Sequence, residues 1–150
     1  MKTIKKVLVP TDFSELSVAA MEYAKMFATR FDAKVYLVHV VDTVPLIGPD
    51  GAPSYMTVAH EVEKDATKEL KRFAAKHLSS LKKLELFICE GDPRLEVLKF
   101  LAKENIDLIV MATHGRTGLA HAILGSVAER VVQQSPVPVV VVKPQQLLRS

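Results

Sequence analysis

The sequence predicts a doubly wound α/β domain, an open five-stranded parallel sheet with helices on both faces. Short runs dense in Val, Ile and Leu recur along the chain, and the fourth of them shows no polar alternation, as a strand buried on both faces requires. Stretches with apolar residues three and four apart fall between these runs. Strand and helix alternating four times is the order that right-handed crossovers turn into one parallel sheet covered on both sides.

The first strand is read over Val7 to Pro10, and the helix after it begins near Ser14. In that helix Leu16, Ala20, Tyr23, Phe27 and Phe31 recur at spacings of 4, 3, 4 and 4, which puts them on one face. The second strand covers Val35 to Val41. Val58, Val62, Ala66, Leu70, Phe73 and His77 then mark a second helix, with His77 as a partly buried packing residue. Leu84 to Cys89 forms the third strand, with Cys89 as a small buried hydrophobe. Asp92 is an N-cap for the third helix, Pro93 occupies its first position, where a missing N–H costs nothing, and Asn105 ends it. The fourth strand is Leu108 to Ala112. The fourth helix starts at Ser126, with Glu129 completing a capping box, and stops near Ser135 because Pro136 follows. The nearly all-valine run Val137 to Val142 is the fifth strand.

Composition bounds the rest. At 150 residues a folded chain hides roughly 70% of the surface its unfolded form exposes, so a single domain over 1–150 holds together without staples. One cysteine excludes an internal disulfide and a Cys-rich zinc site, and none of the five histidines pairs at i, i+4, so no metal site is expected. The apolar residues after Lys2, Lys5 and Lys6 end at Pro10 and Asp12, too soon for an export signal. The longest apolar run falls well short of the ~18 residues of a membrane span. A cytoplasmic protein with no membrane partner is expected. The net charge of +3 comes without a block of five basic residues, which argues against nucleic acid.

In a sheet of this kind ligands bind beyond the carboxyl ends of the strands, so the informative residues follow strands. Two long loops do. Asp42 to Met56, with three prolines and two glycines, reads as an irregular connector or as a flap over a ligand. The segment from Thr113 to Leu124 carries His114, Gly115, Arg116, Thr117 and Gly118 and runs through Gly125 into the helix at Ser126. Its glycines let the backbone approach a ligand, the helix start aims unpaired N–H groups back at the loop, and Arg116 offers a fork of donors; together these fit phosphate. The same residues are also explained as turn glycines, a capping box and a solvated arginine. No G-x-x-x-x-G-K-[ST], G-x-G-x-x-G or G-x-S-x-G motif occurs, which disfavours a Walker-type NTPase, a Rossmann dehydrogenase and a serine hydrolase.

From Ala112 onward the chain resembles the nucleotide-binding pattern of the universal stress protein family, G-x-x-G-x9-G-[ST]. Gly115 stands as second glycine, nine residues run from Arg116 to Leu124, and Gly125 and Ser126 follow. Pro10, Thr11, Asp12, Phe13 and Ser14 at one end, and the closing valine strand with Lys143 at the other, are similar to that family's ends. Ala112 departs from the pattern by replacing the first glycine. The resemblance implies a Rossmann-like fold of the adenine nucleotide alpha hydrolase-like kind and ATP as ligand, with Mg²⁺ or Mn²⁺ held by its phosphates. It implies that Asp12, after Pro10 and Thr11, bonds ribose or the adenine edge and that the main chain of Val40 reads adenine. Ala112, Thr113, His114, Gly115, Arg116, Thr117 and Gly118 would wrap ribose and phosphates, with Gly125, Ser126, Val127 and Ala128 serving the outer phosphates. A homodimer through Val139 to Val142 is implied as well, and the role is that of a nucleotide-dependent sensor or regulator in a stress response.

Two alternatives stand beside it. A phosphoacceptor receiver domain shares the five-strand plan, and Asp12, Thr113 and Lys143-Pro144 mimic its residues. Slow ATP hydrolysis on the same scaffold needs a positioned base or metal, for which Asp12 and the loop histidines His114 and His121 are the available residues, and no catalytic residue is assigned.

Overall fold

The computed structural model describes residues 2–43, 49–51, 57–113 and 124–143. In chain order the elements are β1 (Lys6–Pro10), α1 (Glu15–Phe31), β2 (Lys34–Val41), α2 (Thr57–His77), β3 (Leu84–Glu90), α3 (Pro93–Glu104), β4 (Leu108–Ala112), α4 (Ser126–Gln134) and β5 (Val139–Val142). The strands form one parallel sheet in the order β3-β2-β1-β4-β5.

Successive strand side chains point to opposite faces, and each face has its own core. Val7, Val9, Val35, Leu37, Leu108 and Val110 meet Ala20, Met21, Leu70 and Phe73 from α1 and α2. Leu8, Tyr36, Val38, Ile109 and Met111 meet Val97, Phe100, Leu101, Ala128 and Val131 from α3 and α4. Both faces of the central strands are covered, which is why β1 and β4 read as unbroken apolar runs rather than alternating ones. Each fully buried Val, Leu or Ile contributes about 1.5–3 kcal/mol, so these two layers dominate stability. Tyr36, Phe87 and Phe100 form a cluster at the β2–β3–α3 contact, with Phe87 and Phe100 edge-on at 4.9 Å.

Local chemistry sets most element ends. Ser14 caps α1 by accepting the Ser17 amide, Asp92 caps α3 by accepting the Arg94 amide, and Asn105 closes α3 at φ 54 in the left-handed region. β5 begins at Val139, two residues later than the valine run predicts. The Ser135 hydroxyl bonds both the carbonyl and the amide of Val137, holding it in the turn, and Pro138 has no N–H to give.

Three further sequence expectations need correction. The buried face of α1 is Ser17, Ala20, Met21, Ala24 and Ala28, while Tyr23 and Phe31 are 47% and 38% exposed. The helix packs across β1 and β4, and small residues let it approach where aromatic rings would hold it off. The capping box at Ser126 is absent: Gly125 is the N-cap, Ser126 is the first helical residue, and no side chain caps α4. The receiver alternative fails on strand order, because that plan runs 2-1-3-4-5 and places β3 beside β1. Here β2 separates β3 from β1, so residues after β3 cannot pair with Asp12 in an acidic site of that type. His77 behaves as predicted: it is half-buried against Phe73 at 4.6 Å between ring centroids, and burial, followed by the charge of Lys76, lowers its pKa.

Candidate functional site

The strand order reverses between β1 and β4, and a cleft of about 540 Å³ opens beyond their carboxyl ends. That volume lies within the range of about 300–1,000 Å³ usual for small-molecule sites. Of the residues singled out in the sequence, Pro10, Thr11, Asp12, Val40, Ala112, Thr113, Gly125, Ser126, Val127 and Ala128 all line it. His114, Gly115, Arg116, Thr117 and Gly118 lie outside the described residues, as does most of the Asp42 to Met56 loop.

β1 ends in a turn held from several sides. The Thr11 amide donates to the Val38 carbonyl at 2.9 Å, extending the β1–β2 ladder by one rung. The Thr11 hydroxyl lies 3.0 Å from that of Ser17 and accepts the Phe13 amide at 3.1 Å. Asp12 accepts the Ser14 amide at 3.0 Å, an Asx turn leading into the Ser14 cap. Phe13 takes φ 67, a conformation that costs a non-glycine residue roughly 1–2 kcal/mol. That turn sends its ring into the α1–α2 core layer, and Asp12 stays at the cleft.

β4 ends without such strain. Ala112 closes the strand in register with Val142 and is not among the non-glycine residues with positive φ, so alanine in place of the pattern's first glycine carries no left-handed penalty. The Thr113 amide donates to Val142 at 3.1 Å, and its carbonyl accepts the Gly125 amide at 2.7 Å. This last bond brings the start of α4 directly beside the end of β4. With Gly125 as a cap that has no side chain, the first-turn amides of Ser126, Val127 and Ala128 and the positive end of the helix dipole face a cleft these residues line.

α3 also starts at the cleft, but its end is already occupied. Asp92 accepts the Arg94 amide at 2.9 Å and grips the Arg94 guanidinium through both oxygens, the closest contact being 2.7 Å. Hydrogen bonding from Arg94, from side chain and then backbone, holds the Asp92 carboxyl below the usual carboxylate range, and Asp92 in turn raises the Arg94 pKa. One helix N-terminus therefore carries its own anion and, among the described residues, the other does not. Asp92 and Arg94 are cleft residues that sequence reading missed, although they follow a strand end; Asp42 and Thr43, which also line the cleft, begin the loop read there as a connector or a flap. Cys89 packs against the α3–α4 core layer, and burial pushes its thiol up, away from nucleophilic character. Among the described residues no group of three His, Cys, Asp or Glu is placed to hold a metal ion, and no helix is long and apolar enough to cross a membrane.

Comparison with known proteins agrees with this architecture. Universal stress protein MJ0531 of Methanocaldococcus jannaschii is 38% identical over 139 residues, covering 93% of this chain and 82% of that protein. Universal stress protein MJ0577 of the same organism is 33% identical over 153 residues. The solved structure of MJ0577 superposes with a TM-score of 0.78 at 30% identity, covering 95% of this chain and 98% of that one. A universal stress protein from Archaeoglobus fulgidus, solved in complex with dAMP, shares the fold at 19% identity and a TM-score of 0.64, covering 94% and 98% of the two chains. The universal stress protein family model matches residues 3–143, nearly the whole of the sheet and its helices, and the chain belongs to that family.

Proposed function

We propose that this protein binds an adenine nucleotide, ATP in the first instance, and works as a nucleotide-dependent sensor or regulator in a stress response. The observation that carries the reading is the uncapped N-terminus of α4, tied to the end of β4 by the Thr113–Gly125 bond and opening on the switch-point cleft. An anion there gains the first-turn amides and the helix dipole, and phosphate suits both. The filled N-terminus of α3 gives the ligand a direction, with phosphates toward Ser126 and Val127 and the base and ribose toward Asp12 and the main chain of Val40. The dAMP held by the A. fulgidus protein of the same fold is in keeping with a ligand of this class.

On this reading His114, Gly115, Arg116, Thr117 and Gly118 complete the wrap around ribose and phosphates, and any Mg²⁺ or Mn²⁺ is held by the phosphates. Turnover is read as marginal, with Asp12, which accepts the Ser14 amide, in a binding role and no residue assigned as a base. We further read the protein as a cytoplasmic single domain that dimerises through β5, which the strand order leaves at a sheet edge. Calorimetric titration with ATP and AMP tests the central claim, together with identification of any nucleotide released on denaturing the purified protein. Saturable binding of either is expected; no binding by about 1 mM, where free energies fall to roughly 4 kcal/mol, overturns it. A steady-state hydrolysis rate above about 1 s⁻¹ overturns the non-enzymatic part.

A further inference from the structure

We propose that His39 is a positioning residue of the cleft, clamping the Thr11–Asp12–Phe13 turn so that Asp12 meets the ribose or base of a bound nucleotide. The inference rests on the nucleotide reading above. His39 lies on β2, one residue before Val40, and its Nδ1 is 2.8 Å from the Thr11 carbonyl oxygen. A carbonyl can only accept, so Nδ1 carries a proton and donates it. The same ring stacks on Phe13 with centroids 4.1 Å apart and planes 26° from parallel. One imidazole thus fixes the residue before Asp12 through its backbone and the residue after it through its side chain.

This double hold explains how the strained turn persists. A left-handed non-glycine residue survives only where its surroundings over-determine it. Phe13, at φ 67, is pressed between the His39 ring and the edge of Phe73 on α2, 5.8 Å away. Without the Nδ1 bond the Thr11 carbonyl loses its donor, and the turn is free to relax toward an ordinary right-handed or extended Phe13. Such a relaxation rotates the peptide planes on both sides of Asp12. His39 therefore acts through the turn, with Asp12 as the group that meets the ligand.

Two substitutions separate the hold into its parts. His39→Phe keeps a ring against Phe13 and deletes the donor, whereas His39→Asn keeps an amide donor near the Nδ1 position and deletes the ring. ATP affinity is measured by calorimetry for both, for Asp12→Ala, and for the His39→Phe/Asp12→Ala pair. The expected result is about tenfold weaker binding for His39→Phe, recovery to within about threefold for His39→Asn, and almost no further loss when His39→Phe is added to Asp12→Ala. Unchanged affinity in His39→Phe overturns the proposal, and so does an equal loss with and without Asp12, because His39 would then act elsewhere.

Amide exchange of Ser14, the donor to Asp12, reads the same turn without any ligand. It should quicken in His39→Phe and return toward the native rate in His39→Asn; an unaltered rate in His39→Phe overturns the clamp. If native protein binds no adenine nucleotide, the functional reading falls, and with it the link from His39 to a ligand, while the exchange rates still decide whether the clamp exists.

Discussion

The carbonyl of Thr113 accepts the amide of Gly125 at 2.7 Å, so the end of β4 and the start of α4 meet beside the cleft. The bond places an uncapped helix start against a strand end at the sheet's switch point. A device of this kind gives stability and ligand affinity opposite demands on the same amides.

Gly125→Asp separates those demands. Gly125 has φ −64 and ψ 158, an extended conformation that Asp adopts freely, and an aspartate there can accept the amide of Val127 or Ala128. The fold should gain about 0.5 kcal/mol from the cap and from the charge at the positive end of α4. Nucleotide affinity should fall at least about tenfold, because the carboxylate occupies the amides and repels phosphate. Urea unfolding and calorimetric titration on one preparation read both effects. Loss of stability without loss of affinity would contradict the assignment of phosphate to this helix end.

Ser126→Ala distinguishes the observed cap from the one the sequence predicts. Were Ser126 the N-cap of a capping box, alanine would cost about 1 kcal/mol. As the first helical residue, exposed and bonded to no cap position, it should change unfolding free energy by less than about 0.5 kcal/mol. ATP affinity should still decline, because the hydroxyl is then a ligand donor. Equal stability with undiminished binding would remove Ser126 from the site.

That contrast marks what a sequence carries and what it leaves to the fold. Asp92, Pro93 and Asn105 were legible because each acts on its own neighbours in the chain, and Leu108 to Ala112 because burial on both faces leaves an unbroken apolar run. The Ser126–Glu129 spacing satisfied the same local rule and was overridden by the bond from Gly125 to Thr113, a contact the strand order supplies. The buried face of α1 was misjudged for a related reason. Tyr23 and Ala24 both fit helical periodicity, and only the closeness of the sheet selects the alanine. Pro10, Thr11, Asp12, Ala112, Thr113, Gly125 and Ser126, all lining the cleft, were singled out by motif, whereas Asp92 and Arg94 join them because α3 and α4 share one face of the sheet.

The Asp92–Arg94 pair sets a pH dependence with a definite sign. The carboxyl is held below its unfolded value, so its contribution is complete above the unfolded pKa of about 3.9 and disappears as pH falls through the lower folded-state value. Asp92→Ala should therefore lower the unfolding temperature at neutral pH by an amount that shrinks only in strong acid. Arg94→Ala removes the main cause of the depression, and in that background the loss on Asp92→Ala should be smaller at neutral pH and should finish shrinking at a higher pH. Thermal unfolding followed from neutral pH into acid checks this. A difference between native protein and Asp92→Ala that shrinks between pH 7 and 5 would be inconsistent with a carboxyl held low.

The outer edge of β5 offers a test of assembly that leaves the cleft alone. Pro138 and Val142 turn their carbonyls toward β4, accepting the amides of Ile109 and Thr113, so by strand alternation Val139 and Val141 direct their own N–H and C=O groups away from the sheet. Val141→Pro deletes one outward donor and leaves every β4–β5 bond in place, a substitution an edge strand accepts. Native protein should sediment as a dimer and Val141→Pro as a folded monomer, with ATP affinity little changed because no β5 residue lines the cleft. Lys at the same position should act likewise, since a charge on an open edge opposes pairing. A dimer that survives both substitutions would place the subunit contact on another surface.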